Sequence, residues 1–103
     1  MSIKNLTKMF NPKVVAIYGA SARVGSVGHA LMDNIIGSGF DGIVYPVNPK
    51  RTNVLGVKAY NSIQDIPDQV DLVIIATPAK TAPTIVEDCG IAGVSSVLLL
   101  KKE

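Results

Sequence analysis

The chain has little of what several protein classes need. It contains no tryptophan, three tyrosines and two phenylalanines, too few for the aromatic platforms on which single-stranded nucleic acids stack. Cys89 is the only cysteine, so an internal disulfide and a cysteine-rich metal site are both excluded. Charge of either sign is scarce at 17%, and the net charge of +2 is too small to imply nucleic-acid binding. The longest apolar runs, 72–76 and 97–100, fall far short of the roughly 20 residues that cross a bilayer. The N-terminus, MSIKNLTKMF, has no apolar core of a signal peptide, and a cytoplasmic location is expected. Neither nucleic acid nor membrane is an expected partner.

What is present is a compact, apolar composition. Hydrophobic residues make up 48% of 103 residues, which excludes disorder and suits a single domain over residues 1–103 with one core. Period and punctuation then give alternating strands and helices. Val14 to Tyr18 is a continuous apolar and β-branched run, as in a strand buried on both faces of a parallel sheet. Ser26 to about Ser38 reads as a helix with Val27, Ala30, Leu31 and Ile35 on its buried stripe, ended by Gly37 or Gly39. Gly42 to Val47 is a second strand, and Val57 to Tyr60 reads as an edge strand. Ser62 is placed as the N-cap of a brief helix closed before Pro67. Asp71 to Ala76 is the strongest strand pattern, Thr81 to Ala92 a helix with Pro83 in its first turn, and Ser95 to Leu100 a last buried strand.

This order predicts an α/β, Rossmann-like three-layer domain with a five-stranded, mainly parallel sheet in the order 3-2-1-4-5. In such a sheet the winding reverses beside the first strand, leaving a crevice at the carboxyl ends where ligands bind. Three loops meet there: Gly19 to Ser26, Asn48 to Thr52, and Thr77 to Lys80. They carry Arg23, Lys50, Arg51 and Lys80, with Lys101 and Lys102 after the last strand, and Glu103 is the sole acid on that rim. A modest net charge therefore conceals a cationic crevice.

The stretch YGASARVGSVG supplies a glycine- and serine-rich phosphate loop before a helix N-terminus, where free N–H groups and the helix dipole attract anions. Its spacing is informative. Gly25 and Gly28 preserve the second half of a dinucleotide fingerprint, but Gly19 lies too far back, and Asn48-Pro49-Lys50-Arg51 stands where an NAD enzyme keeps an acid. The Walker pattern fails because Ser26, not lysine, follows Gly25. NADP and coenzyme A both remain as ligands, and nucleotide hydrolysis is not expected.

At this point the chain resembles the CoA-binding domain of the NDP-forming acyl-CoA synthetases, related to the succinyl-CoA synthetase alpha subunit. The matching pieces are FNPKVVAIYGAS, GSVGHALMDNI, GFDGIVYPVNPK, LGVKAYNSIQDIP, VDLVIIATPA and IVEDCGIAGV, which span Phe10 to about Val97. The resemblance implies that Ser21, Arg23, Gly25, Ser26 and Val27 contact the phosphates of coenzyme A or acyl-CoA. It implies that Lys50 meets the ribose phosphate or pyrophosphate, and that the Thr77-Pro78-Ala79 loop lies beside the ligand. Gly19, Ala20 and Asn48 complete the expected binding set. The full enzymes transfer an acyl group from an acyl-phosphate to the CoA thiol, and a phosphohistidine in another domain passes the phosphoryl group to ADP or GDP.

By the same resemblance the chain is the N-terminal part of an acyl-CoA synthetase, or a remnant of one, with other synthetase domains or a second subunit as partners. The end Leu100-Lys101-Lys102-Glu103 departs from the small-residue loop usual in the family at that point. Alone, the chain is expected to bind rather than catalyse, with no catalytic residue and no metal ligand. His29 reads as a surface or packing residue, Cys89 as a buried structural thiol, and Asp33 and Asp88 as helix-surface acids. The alternative to coenzyme A binding is an NADP- or nucleotide-sensing regulatory module without catalysis, and an assembly domain is a third reading.

Overall fold

The computed structural model describes residues 11–21 and 23–100. Four strands form one parallel sheet: β1 (Val14–Tyr18), β2 (Ile43–Val47), β5 (Leu72–Ile75) and β6 (Ser96–Leu99), in the spatial order β2-β1-β5-β6. Two α-helices serve as crossovers, α1 (Val27–Gly37) after β1 and α2 (Ala82–Ile91) after β5. Alternation along the central strands sends neighbours to opposite faces. Val15, Ile17 and Ile74 pack with Met32 of α1, whereas Ala16, Tyr18, Val73 and Ile75 pack with Ile85 and Cys89 of α2. The three layers thus follow from two continuous apolar strands, each of whose larger buried side chains contributes about 1.5–3 kcal/mol.

The expected five-stranded order is replaced by a four-stranded sheet and a separate antiparallel pair, β3 (Asn53–Val54) with β4 (Val57–Lys58). The two are joined through Leu55 and Gly56, both at positive φ (51° and 81°), as a tight two-residue hairpin requires. Of the expected strand at 57–60, only Tyr60 reaches the main sheet, as one parallel bridge beside Val47. The hairpin pairs Val57 and Lys58 with β3, and the Ala59 amide bonds the Thr52 carbonyl at 3.0 Å, which leaves Tyr60 to extend the ladder.

Two further expectations are corrected. The buried stripe of α1 is Gly28, Leu31, Met32 and Ile35, with Ala30 exposed and Val27 38% exposed. Leu31 and Ile35 lie on the stripe as expected, whereas Gly28, which faces the end of β1, and Met32 stand there in place of Val27 and Ala30. The last strand is not buried: among the described residues β6 has only β5 beside it, and Val97, Leu98 and Leu99 are 39%, 49% and 44% exposed.

At the amino ends of the strands, Asp71 is a buried carboxylate. One of its oxygens, Oδ2, accepts from the amides of Lys13 and Val14, each at 3.0 Å. This fastens the start of β1 to the start of β5. Ser62 stands at the N-cap of a 3-10 turn (Ile63–Asp65) without a side-chain capping bond. The Tyr18 hydroxyl takes the Ile63 amide instead, at 3.1 Å. No helix among the described residues is long and apolar enough to cross a membrane.

Candidate functional site

The three loops expected to meet do meet. β1 and β2 run in register, Tyr18 beside Val47, and β1 and β5 likewise, Tyr18 beside Ile75, so the three chains leave the sheet at one level. The Ala76 amide bonds the Tyr18 carbonyl at 2.9 Å, and the Gly19 amide bonds the Val47 carbonyl at 3.4 Å. Gly19, at φ 85°, then turns the chain against Ala76 and Thr77. A Cβ there would stand 3.0 Å from the Ala76 carbonyl carbon and from Thr77 Cγ2.

The glycine- and serine-rich loop supports itself. Ser21 Oγ accepts the Arg23 amide at 2.9 Å, and the Ser26 amide bonds the Arg23 carbonyl at 3.3 Å. This closes an Arg23-Val24-Gly25-Ser26 turn whose third residue, Gly25, has φ 91°, a value suited to glycine. Ser26 is the N-cap of α1: its Oγ accepts from the His29 amide at 3.1 Å and donates to the Arg23 carbonyl at 2.9 Å. Val27 and Gly28, in the first helical turn, carry amides with no acceptor among the described residues. Unpaired amides at a helix N-terminus, together with the helix dipole, favour negative charge. Arg23, Val24 and Gly25 are exposed at the tip of this loop, with Val24 83% exposed.

The second loop, Asn48 to Thr52, begins directly after β2. Asn48 Oδ1 accepts the Lys50 amide, and the Arg51 amide bonds the Asn48 carbonyl. Lys50 and Arg51 are exposed. Asn48 Nδ2 reaches the Ala20 carbonyl of the neighbouring loop at 2.9 Å. In the third loop Thr81 Oγ1 donates to the Pro78 carbonyl at 2.6 Å. The Thr77 hydroxyl must then be the donor in its 2.6 Å contact with Thr81 Oγ1. Lys80 is exposed on the 3-10 turn Ala79–Thr81 that precedes α2.

All eleven residues expected at the site, Gly19, Ala20, Ser21, Arg23, Gly25, Ser26, Val27, Asn48, Lys50, Thr77 and Pro78, therefore lie in or just beside these three loops. No acidic residue belongs to the loops. Lys101, Lys102 and Glu103, expected on the same rim, lie outside the described residues. Three features were not drawn from the sequence: the Thr77–Thr81 hydroxyl pair, the Tyr18–Ile63 bond under the loops, and the span from Asn48 to Ala20. His29 lies half-buried in the first turn of α1, and Cys89 is buried against the sheet. Burial pushes the Cys89 thiol up from 9.0 to about 11, so it stays neutral at ordinary pH. No group of three or more histidine, cysteine and acidic residues suited to a metal ion occurs among the described residues.

Residues 13–103 match the CoA binding domain. The chain belongs to that family. Its curated relatives include the alpha subunit of acetate–CoA ligase (ADP-forming) I from Pyrococcus furiosus. That subunit is 44% identical over 100 residues, a match covering 93% of this chain and 22% of the relative. The 4-hydroxybutyrate–CoA ligase (ADP-forming) of Nitrosopumilus maritimus is 37% identical over 92 residues, covering 89% and 13%. Among solved structures, the dinucleotide forming acetyl-coenzyme A synthetase 1 of Ca. Korarchaeum cryptofilum, in complex with phosphate and ADP, superposes with a TM-score of 0.90. It is 35% identical, and the match covers 95% of this chain and 21% of that one. This CoA binding domain thus spans less than a quarter of the length of each of these three relatives.

Proposed function

We propose that this chain binds coenzyme A, or an acyl-CoA, as the coenzyme-recognising part of an ADP-forming acid–CoA ligase. The observation that carries the reading is the convergence of three acid-free loops on the open first turn of α1. There the Val27 and Gly28 amides and the Arg23, Lys50, Arg51 and Lys80 side chains belong to one rim. The expected ligand is a polyanion with a pyrophosphate and a separate ribose phosphate, and the rim has separate places for each. The glycine- and serine-rich loop, from Gly19 and Ala20 through Ser21, Arg23, Gly25, Ser26 and Val27, takes the pyrophosphate. Lys50, at the end of β2 where a ribose lies in folds of this type, takes the ribose phosphate. Thr77 and Pro78 border the ligand on its far side. In this reading coenzyme A is a substrate of the whole ligase, and the chain contributes recognition while the acyl and phosphoryl transfers are carried by other parts of it.

A charge-assisted hydrogen bond contributes about 1.5–3 kcal/mol, so the ribose phosphate should be worth roughly tenfold to a hundredfold in affinity. Isothermal titration with coenzyme A, dephospho-coenzyme A, NADP and NAD tests this. Coenzyme A is expected to bind tightest, with dephospho-coenzyme A weaker by that factor. Lys50→Ala should close most of the gap between the two. Equal binding of the two coenzymes would remove the assignment of Lys50. Binding of NADP in preference to coenzyme A would favour a nucleotide-sensing module, and binding of NAD alone would end both readings.

A further inference from the structure

We infer that Asn48 is a positioning residue: its side-chain amide is a strut that holds the glycine- and serine-rich loop and the cationic turn at a fixed separation. The inference rests on the coenzyme A reading for its purpose, while its geometry stands independently. Asn48 follows the last residue of β2, and Ala20 lies two residues beyond the end of β1. The side chain crosses between these strand ends, Nδ2 donating to the Ala20 carbonyl at 2.9 Å and Oδ1 accepting the Lys50 amide at 2.9 Å. The main chain of Asn48 is fixed as well. Its amide bonds the Tyr60 carbonyl at 2.9 Å and its carbonyl accepts the Arg51 amide at 3.3 Å. One residue thus joins Ala20, Lys50, Arg51 and Tyr60.

The chemistry selects asparagine. The strut needs a donor at one end and an acceptor at the other, which a carboxylate or an aliphatic side chain does not provide. It also needs no charge, since a carboxylate here would neutralise the cations of the next three residues and repel a phosphate. A pyrophosphate and a ribose phosphate on one ligand are bound together only if their two sites keep their spacing, because an ordered site avoids the entropy cost of arranging the loops on binding. Asn48 therefore acts on affinity through Ala20 and Lys50.

The test compares Asn48→Ala with Asn48→Asp in the unliganded chain and in titrations with coenzyme A. In amide exchange followed by NMR without ligand, Asn48→Ala should raise exchange at least tenfold at the Lys50 amide and at the Arg23 and Ser26 amides. Asn48→Asp keeps an acceptor for Lys50 but loses the bond to Ala20. It should therefore spare the Lys50 amide while loosening Arg23 and Ser26. Both variants should bind coenzyme A at least tenfold more weakly, the aspartate more weakly still. Unchanged affinity in Asn48→Ala overturns the inference. Weakened affinity with unchanged exchange in both variants also overturns it, because that pattern belongs to a direct ligand contact. If the unsubstituted chain binds no coenzyme A, the ligand reading falls and the exchange data alone decide whether Asn48 fixes the loops.

Discussion

A Cβ built on Gly28 would fall 1.8 Å from the carbonyl oxygen of Gly19 and 2.8 Å from its carbonyl carbon. Helix α1 begins so close to the end of β1 that only a hydrogen fits between them. This contact brings the open amides of the first helical turn down to the sheet, beside the other two loops.

Gly28→Ala should consequently destabilise the fold, because the obstructing atoms are backbone and cannot step aside. Overpacking of this kind costs about 1–3 kcal/mol, and the strain should also displace the first turn of α1. Gly37→Ala is the matched control. Gly37 ends the same helix with nothing within 4 Å of a built Cβ, so alanine there should stabilise by about 0.5–1 kcal/mol. Urea denaturation of the two variants should give shifts of opposite sign; a harmless Gly28→Ala would show that the close approach relaxes without cost.

Tyr18→Phe removes the hydroxyl that accepts the Ile63 amide, in a buried setting, and leaves that amide without its partner. Leaving a buried donor unsatisfied costs about 1–3 kcal/mol. The loss should appear as a lower denaturation midpoint and as faster exchange of the Ile63 amide, with less effect on α1. In the folded chain the Tyr18 hydroxyl is pushed above its usual ionisation range, first by burial, so it keeps its proton through neutral and mildly alkaline pH.

The Cys89 thiol gives a pH-dependent prediction. Burial raises it from 9.0 to about 11, so the folded state holds its proton where the unfolded chain releases it. Its contribution is fully present below about pH 9 and is lost as pH rises toward 11 through the folded value. Stability measured across that window should fall less steeply in Cys89→Ala than in the parent, whatever the offset between them at pH 7. The thiol should also resist alkylation at pH 8 until the chain is denatured. Rapid modification of the native protein would show that the residue is accessible.

Much of the fold was legible because its signals are local. The runs at 14–18 and 72–75 are apolar over their whole length, and only strands covered on both faces sustain that pattern. Gly39 marks the end of α1 by its left-handed φ of 77°, which glycine adopts freely. The hairpin at 53–58 was not legible. Its turn places Leu55 at φ 51°, where asparagine or aspartate is the usual sign, and the expected edge strand hid the reversal. On α1, Leu31 and Ile35 were legible as buried and Val27 and Ala30 were misjudged, for a related reason: periodicity alone does not record that Gly28 must face Gly19.

For the site, sequence by itself determined which loops carry the cationic and hydroxyl side chains and that no acid accompanies them, because strand order sends the loops after β1, β2 and β5 to one end. It also determined the resemblance on which the coenzyme A reading began. Only the tertiary structure decided how those groups are held. The hydroxyl of Ser26 caps its own helix, Thr77 and Thr81 brace each other, and Asn48 spans from β2 to the loop after β1. These bonds join residues through directions that the chain acquires only on packing, and a hydrogen bond depends on distance and angle that no spacing along the sequence fixes.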